Sequence, residues 1–220
     1  MKILVLDVGG PHVKVQATGQ RTRRKLPSGP GLTPHRMVRA IADLVADWQY
    51  DVVSIGFPSR VARGKIAAEP ANLGRGWVGF DFGRAFGRPV KVINDAAMQA
   101  FGAYAGGRML FLGFGTGLGS ALIADGVIVP MELAHLPYKK GTYEDYVGLR
   151  GLAKNGKKKW RRDVADVIAR FGAALEIEDV VIGGGNSKFL KKIPQDARLV
   201  TNAHAIKGGY RLWTDQAPRD

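Results

Sequence analysis

The sequence predicts an α/β protein of two similar lobes, and three observations support that prediction. One order of elements, three strands followed by a helix and another strand, occurs twice along the 220 residues. Each copy begins with an apolar strand that runs into a glycine turn, at Asp7-Val8-Gly9-Gly10 and again at Gly115-Thr116-Gly117. A further apolar run between them ends at Asn94-Asp95. We therefore predict a small lobe over residues 1–94 and a larger one over 95–220.

The first lobe contains a buried strand, a half-buried strand and a capped helix. Residues 2–7 are almost all apolar, whereas Val13, Val15 and Ala17 alternate with polar residues. Thr33-Pro34 is typical of a helix start, because Thr caps the first turn and Pro fits within it. In chain order we predict strands at 2–7, 13–17 and 23–26, a helix from Thr33 to Trp48, and strands at 52–57 and 90–93.

The second lobe repeats this order with different residues. Asp125-Gly126 is a hairpin signal between two short apolar runs. We predict a helix at 96–101, strands at 108–112, 120–124 and 127–129, a helix at 161–175 and a strand at 180–182, followed by Gly183-Gly184-Gly185. Two lobes of this order, facing each other across a central cleft, indicate an actin-like ATPase (ribonuclease H-like) fold rather than a doubly wound sheet.

The glycine turns and the Asn94-Asp95 pair are suited to phosphoryl transfer. Glycine lets backbone N–H groups approach phosphate oxygens closely, since it has no Cβ. A carboxylate at a nearby strand end can accept the proton of an attacking hydroxyl. Neither turn has the Gly-Lys-Ser/Thr of a P-loop or the Gly-x-Gly-x-x-Gly of a dinucleotide site. Asp95 can equally cap the helix that begins at Ala96, so both roles stay open at this point.

The composition sets limits on location and metal chemistry. No cysteine occurs, which excludes disulfides and thiolate metal sites and favours a cytoplasmic location. The apolar run at the N-terminus is too short for a signal peptide, and no stretch is long enough to span a membrane.

The net charge of +14 indicates a polyanionic ligand. Six cations with no acid among them form a cluster, and the alternative is a solvated face that aids solubility. The cluster consists of Lys154, Lys157, Lys158, Lys159, Arg161 and Arg162. Two smaller basic groups lie at 21–25 and 188–192.

Several short motifs occur in one order from about residue 3 to residue 200. They are Asp7-Val8-Gly9-Gly10 with Lys14, Ile55-Gly56-Phe57-Pro58, Asn72-Leu73 with Trp77, Val92-Ile93-Asn94-Asp95-Ala96, Leu112 to Leu122, Asp125-Gly126, Glu132-Leu133-Ala134-His135-Leu136 and Val181 to Gly185. With these motifs the chain resembles the ROK sugar kinases and, within them, the polyphosphate glucokinases.

The resemblance implies a role for each polar residue of these motifs. Asp95 would be the general base for the sugar hydroxyl. The sugar would be bound by Asn72, Asn94, Glu132, His135 and Glu144. The phosphates or nucleotide would be bound by Asp7, Gly9, Gly10, Lys14, Gly115, Thr116, Gly117, Gly183, Gly184 and Gly185. Asp7 would also face Mg²⁺. Zinc, which many members of the family bind through three cysteines and this histidine, is not expected here.

The expected reaction is transfer from polyphosphate, with ATP as a further donor, to the 6-hydroxyl of glucose in a homodimeric enzyme. Two departures from the family pattern leave alternatives open. Pro11 stands where a Thr or Ser is usual and removes a hydroxyl and an N–H, and Ser59 replaces a glycine. The alternatives are an ATP-only hexokinase of different sugar specificity and a catalytically degenerate sugar-binding protein. A transcriptional regulator of the superfamily would carry a DNA-binding domain before the first turn, and nucleic acid is not an expected partner because no RNA-binding signature occurs.

Overall fold

The computed structural model describes residues 1–194 and 197–214, which form two compact units. The first unit contains Met1–Met98 and the C-terminal stretch from Ala205, and the second contains Gln99–His204. The sequence had placed everything after Asn94 in one lobe. In the structure the division lies within a helix, and the chain returns to the first unit at its end; residues 215–220 lie outside the described part.

The first unit is built on a five-stranded mixed sheet of order β3-β2-β1-β4-β7. β1, β4 and β7 are parallel, and β2 pairs antiparallel with β1 and β3. The strands are β1 Ile3–Val8, β2 His12–Ala17, β3 Arg24–Pro27, β4 Val52–Phe57 and β7 Val90–Asn94, with a separate hairpin of β5 Val61–Ala62 and β6 Lys65–Ile66. The helices named from this part of the chain are α1 Pro34–Leu44, α2 Phe82–Phe86 and α3 Asp95–Ala103.

Each face of this sheet is covered by helices. Met37 and Ile41 of α1 are fully buried against one face, together with Trp77 from the loop that precedes α2. On the other face, Val5 packs with Met98 of α3 and with Ile206 of the C-terminal helix. The sheet therefore holds the ends of β1, β4 and β7 in fixed positions.

The second unit repeats the sheet topology, with strand order β10-β9-β8-β13-β14. β8, β13 and β14 are parallel, and β9 runs antiparallel to both β8 and β10. The strands are β8 Arg108–Phe114, β9 Leu118–Ala124, β10 Val127–Met131, β11 Pro137–Tyr138, β12 Gly141–Thr142, β13 Asp179–Gly183 and β14 Ala197–Leu199. The helices are α4 Tyr143–Val147 and α5 Leu149–Leu175, with 3₁₀ turns at Leu133–His135 and Ser187–Phe189. The last helix, α6 Ala203–Arg211, begins in this unit and continues into the first.

Helix α5 is longer than the predicted helix at 161–175. It begins at Leu149 and is interrupted at Gly156, whose φ of 70° and ψ of 164° are not helical. A residue with a Cβ rarely adopts such a φ, so glycine permits the kink. Trp160 is fully buried after the kink, and its Nε1 donates a 2.8 Å hydrogen bond to the carbonyl of Val147.

The sequence predicted the main strands and missed the short elements. It gave no signal for α2, α4, β14 or the 3₁₀ turns, because these elements contain too few residues to display a hydrophobic period. The nine-residue α6 was missed because its buried face includes Gly208 and Gly209, which are typical of turns in a sequence. In the described part of the chain no helix is both long and apolar enough to cross a membrane.

Candidate active site

Strand register brings Asp7 and the Asn94-Asp95 pair to one edge of the first sheet. Asp7 is opposite Gly56 in the parallel pair β1·β4, and Phe57 is opposite Asn94 in the pair β4·β7. Carboxyl ends of parallel strands are the common ligand-binding edge of open α/β sheets. The two predicted carboxylates are thus held on one rigid edge.

Asp7 is a nearly buried carboxylate, with 8% of the residue exposed. Its Oδ2 accepts a 2.8 Å hydrogen bond from Nζ of Lys14, which lies directly opposite on β2. Burial of a charge is costly unless it is paired, so Lys14 fixes both the charge and the orientation of Asp7. Oδ1 has no hydrogen-bond partner within the described residues and remains available to a ligand.

Asp7 could bind the predicted Mg²⁺ only if substrate phosphates and water supplied the remaining ligands. The described residues contain no group of three or more His, Asp or Glu side chains that could hold a metal by themselves. Mg²⁺ is usually bound by one or two carboxylates together with substrate phosphates and water. One free carboxylate oxygen at this edge meets that requirement.

The first glycine turn closes in spite of Pro11. The N–H of Gly9 donates a 3.0 Å hydrogen bond to the carbonyl of His12, and the carbonyl of Pro11 accepts from Ser28. The N–H of Gly10 donates to no acceptor in the described part of the chain. Pro11 has therefore removed one donor from the turn without opening it, and the Gly10 amide can still bind an anion.

Asn94 and Asp95 occupy different positions at the start of α3. Asn94 Oδ1 accepts a 3.1 Å hydrogen bond from the N–H of Ala97, and its Nδ2 donates to the carbonyl of Ser59. These are the bonds of a helix N-cap. Asp95 begins the helix and accepts a 2.8 Å bond from the N–H of Ala96. The capping role that the sequence allowed for Asp95 thus belongs to Asn94.

Gly56 allows α3 to approach the sheet at this point. A Cβ there would collide with the side chain of Met98 and would lie 3.4 Å from the Cα of Asp95. The close approach determines how far Asp95 lies from the end of β4. The motif Ile55-Gly56-Phe57-Pro58 drew attention to this glycine, but only the structure shows what it contacts.

Asn72 lies in an exposed loop whose backbone is held by one acidic side chain. The carboxylate of Glu69 accepts hydrogen bonds from the N–H groups of Gly76, Trp77 and Val78 at 3.1–3.3 Å. Trp77 is fully buried beside Phe57, with ring centroids 4.9 Å apart. The sequence gave no reason to select Glu69, although it determines the shape of the loop that carries Asn72.

In the second unit the two glycine turns lie side by side. Gly183 is opposite Gly113 in the parallel pair of β8 and β13, so both strands end at one edge. Asn186 joins the turns, since its Nδ2 donates a 2.8 Å bond to the carbonyl of Gly115 and its N–H bonds to Phe114. Gly184 has a φ of 82° and lies so close to the Phe114 backbone that a Cβ would collide with it.

These two turns present unpaired backbone donors. In the residues that the structure describes, the N–H groups of Thr116, Gly117 and Gly185 donate to no acceptor. Successive free N–H groups at a strand end form an anion-binding site. The predicted phosphate-binding residues of this unit are therefore brought together by the fold.

Glu132 and His135 project from a single 3₁₀ turn. Leu133 and Ala134 are buried beneath it, while Glu132 and His135 are exposed. Glu132 precedes the turn as its N-cap residue, with a φ of −118° and a ψ of 63°, and His135 is its last residue, so one short segment carries both side chains. The turn is fixed by buried Ser120, whose Oγ donates to the carbonyl of Met131 and accepts from the N–H of Leu133.

Helix α4 connects this 3₁₀ turn to the Gly115–Gly117 turn. The N–H of Tyr143 donates to the carbonyl of Leu136, and the N–H of Leu149 donates to the carbonyl of Thr116. The carboxylate of Glu144 lies against Gly117, where a Cβ would collide with it. A carboxylate repels phosphate but accepts hydrogen bonds from hydroxyls, so Glu144 is suited to a sugar contact.

Charges around α4 hold its first turn. Asp145 forms a capping box with Thr142, and the hydrogen bonds that Thr142 donates lower the pKa of the Asp145 carboxyl. Arg150 lies 3.6 Å from Glu144 and 3.0 Å from Asp145, between carboxylate and guanidinium atoms. Arg150 was not predicted as a site residue, since it stands outside the basic cluster.

The six cations of the predicted polyanion track lie on both sides of the α5 kink. Arg161 is half-buried, and its Nε donates a 2.6 Å bond to the carbonyl of Phe189. Lys159 Nζ bonds to Asn155, while Lys157 lies over the Phe189 ring at 4.8 Å. Lys154, Lys158 and Arg162 are exposed. Arg161 therefore supports the structure, and the lysines remain accessible.

Known proteins match the whole architecture. No family model matches the chain. A polyphosphate glucokinase of Mycobacterium tuberculosis is 28% identical in an alignment of 205 residues that covers 83% of this chain and 77% of that protein. The crystal structure of an inorganic polyphosphate/ATP-glucomannokinase from an Arthrobacter species superposes with a TM-score of 0.78 at 24% identity, over 94% of this chain and 96% of that one.

A ROK family glucokinase from Streptomyces griseus, solved with glucose and AMPPNP, gives a TM-score of 0.77 at 15% identity over 96% of this chain and 99% of that one. This chain has the fold of the ROK sugar kinases. Its sequence is similar to that of the polyphosphate glucokinases, so the predicted resemblance is confirmed. The predicted actin-like ATPase fold class of ROK kinases is confirmed with it.

Proposed function

We propose that this protein is a sugar kinase that transfers a phosphoryl group from inorganic polyphosphate, and also from ATP, to the 6-hydroxyl of glucose. The relatives and structural neighbours are named as glucokinases and related sugar kinases, which transfer a phosphoryl group to a sugar. The predicted enzyme class, a phosphotransferase with an alcohol acceptor, is thereby confirmed. The observation that carries the proposal furthest is that each unit holds a glycine turn with at least one unpaired backbone N–H near a carboxylate.

In this proposal Asp95 accepts the proton of the attacking hydroxyl. It stands at the end of a parallel strand and at the first position of α3, and Asn94 caps that helix in its place. A carboxylate in hydrogen-bond reach of the hydroxyl lowers the barrier by removing the proton as the bond to phosphorus forms. Glu132, His135 and Glu144 bind sugar hydroxyls, with Asn72 as a further contact.

The groups proposed to bind phosphate in the first unit are the Gly10 amide and Lys14. In the second unit they are the N–H groups of Thr116, Gly117 and Gly185. Mg²⁺ at Asp7 would neutralise charge on the donor phosphates. Backbone N–H groups that are already oriented stabilise developing charge without reorganisation, which is how such sites accelerate phosphoryl transfer.

The test of this proposal is Asp95→Asn. The amide keeps the size of the side chain and its bond to the Ala96 N–H but cannot accept the proton, so kcat should fall by about 10²–10⁴. Asp43→Asn, on an exposed position of α1, is the matched control and should retain the wild-type rate. A donor-by-sugar matrix of ATP and polyphosphate against several hexoses fixes the substrates. Near wild-type turnover by Asp95→Asn would refute the assignment of the base.

The alternative of an ATP-only hexokinase predicts turnover with ATP and none with polyphosphate in the same matrix. If the protein were a degenerate sugar-binding protein, calorimetry would detect glucose binding, but no sugar would be phosphorylated with either donor. The closed turn at Gly9 favours activity, because Pro11 leaves the Gly10 amide free. A homodimer and a cytoplasmic location are further parts of the proposal, and size-exclusion chromatography with light scattering tests the first.

A further inference from the structure

Two basic segments that are distant in the sequence meet at one aromatic ring. Lys157 Nζ of α5 lies 4.8 Å from the centroid of the Phe189 ring, and Lys188 Nζ lies 5.1 Å from the same centroid. Each ammonium group is attracted to the electron-rich face of the ring by a cation–π interaction. Two cations held over one ring nevertheless repel each other, and a shared anion would relieve that repulsion.

The charge of this group is not compensated nearby. Residues 146–162 and 183–194 contain no Asp or Glu. Among the described residues, no salt bridge involves Lys157 or Lys188, whereas Lys139 and Arg150 in the same unit are both paired. An uncompensated cationic surface attracts anions over several ångströms.

The ring is attached directly to the glycine turns. Asn186 donates to Gly115, and Ser187 Oγ donates a 2.8 Å bond to the carbonyl of Gly184. Phe189 closes the same 3₁₀ turn, and its carbonyl accepts from Arg161. The segment Asn186–Phe189 therefore connects the glycine turns to Lys188 and the Phe189 ring, and it is hydrogen-bonded to the turns at one end and to Arg161 at the other.

We infer that Lys157 and Lys188, positioned by Phe189, bind the distal phosphates of a polyphosphate donor and set its preference over ATP. The inference rests on the proposed function and deepens it. A polyphosphate chain carries charge along its whole length, whereas ATP ends in an uncharged adenosine. With two ammonium groups over it, the Phe189 ring favours a continuing anion over stacking by an adenine base.

The decisive variant is Lys157→Gln with Lys188→Gln. The KM for long-chain polyphosphate should rise about tenfold, as expected from the loss of two partly solvated ion contacts, and by a larger factor than the KM for ATP. The dependence of log affinity on log salt should weaken by about 0.7–0.9 for each lysine removed, by analogy with nucleic acids. Polyphosphate binding measured without sugar by calorimetry should show the same two changes.

A second variant separates positioning from charge. Phe189→Leu keeps an apolar side chain and both lysines but removes the ring, so the KM for long chains should rise less than in the double lysine variant. The matched control is Arg39→Gln with Lys207→Gln, which removes the same charge from exposed positions of the first unit and should leave both KM values unchanged.

The outcomes distinguish this inference from the proposed function. If the wild type uses polyphosphate and the double variant behaves as the control does, the inference is wrong and the proposed function stands. If no donor supports phosphorylation by the wild type, the proposed function is wrong and the inference falls with it. Stronger loss of binding to a single-stranded RNA oligonucleotide than to polyphosphate would identify a nucleic-acid surface and also overturn the inference.

Discussion

At the scale of single residues, the structure separates the functions of neighbours that the sequence treats as a pair. Both polar groups of the Asn94 side chain are used, by Ala97 and Ser59. Its Nδ2 has one N–H left for a sugar. Substitution of an N-cap residue by Ala typically costs about 1 kcal/mol, so Asn94 contributes to stability whatever else it does. Asp95 follows the cap as the first residue of α3 and accepts a hydrogen bond from the N–H of Ala96.

His135 should act on sugar affinity and not on the donor. Among the described residues neither His135 nor Glu132 has a hydrogen-bond partner, and both are exposed on one 3₁₀ turn. His135→Ala should raise the KM for glucose by roughly 5- to 100-fold, as expected for the loss of one or two hydrogen bonds, with a smaller effect on the KM for either donor. Steady-state kinetics with each substrate varied in turn measures this.

The matched control for that experiment is His204→Ala. His204 is half-buried on α6, and its Nδ1 lies 3.2 Å from the carbonyl oxygen of Thr201. Its removal should leave the glucose KM unchanged. Equal KM values for His135→Ala and the wild type, with every hexose tested, would remove His135 from the sugar site.

At the scale of elements, one five-residue helix links the segment that carries Glu132 and His135 to the Gly115–Gly117 turn. Gly148 ends α4 against the turn, since a Cβ there would lie 2.8 Å from the carbonyls of both Thr116 and Glu144. An isolated helix of this length is not stable, so its position depends on the capping box and on packing. Thr142 and Asp145 supply that box.

The capping box should make stability depend on pH in a predictable direction. The pKa of Asp145 is lowered in the folded protein by bonds from Thr142, so the charged form stabilises the fold. That contribution is fully present above the ordinary Asp pKa of about 3.9 and is lost as the pH falls through the lower folded value. Asp145→Asn should therefore reduce the thermal midpoint at pH 7, and the difference from wild type should shrink at acidic pH.

Thermal unfolding followed by circular dichroism between pH 7 and pH 3 measures this. Asp43→Asn serves again as the control, because Asp43 is exposed on α1 and should give parallel curves at all pH values. A constant difference between Asp145→Asn and wild type across the range would show that the charge of Asp145 does not stabilise α4.

At the scale of the whole molecule, two sheets with the same strand order are built from unlike sequences. Each has three parallel strands extended by antiparallel strands on one side, and each presents a glycine turn at the end of its first strand. In both sheets this strand order places a glycine turn at the carboxyl end of a parallel strand. The side chains that fill each core are free to differ as long as they are apolar.

The whole protein should require a divalent cation that it does not hold tightly by itself. The chain has no cysteine, and its described residues contain no three-ligand metal group. Chelation with EDTA should abolish phosphoryl transfer, and added Mg²⁺ should restore it fully. Metal analysis of the purified protein should find no stoichiometric zinc. Activity that persists in EDTA would contradict the assignment of Asp7 to Mg²⁺. Zinc at one atom per chain would contradict the separate expectation that the protein binds no zinc.

The sequence by itself determined the fold class, the order of the main strands and the composition of the candidate site. Long apolar runs and glycine turns report burial and backbone freedom locally, so β1 and the turn at Gly9-Gly10 could be found from nearby residues alone. The same holds for the start of α1, where the Thr33 side chain caps the helix. The basic cluster was also visible, because charge is read directly from composition.

Only the tertiary structure decided which of these residues share a location. Strand register joined Asp7 to the Asn94-Asp95 edge, and the bond from Asn186 to Gly115 joined the two glycine turns of the second unit. The meeting of Lys157 and Lys188 over Phe189 spans two segments with no pattern in common. Such contacts depend on how whole elements pack, and packing is a property of surfaces that no local window of sequence contains.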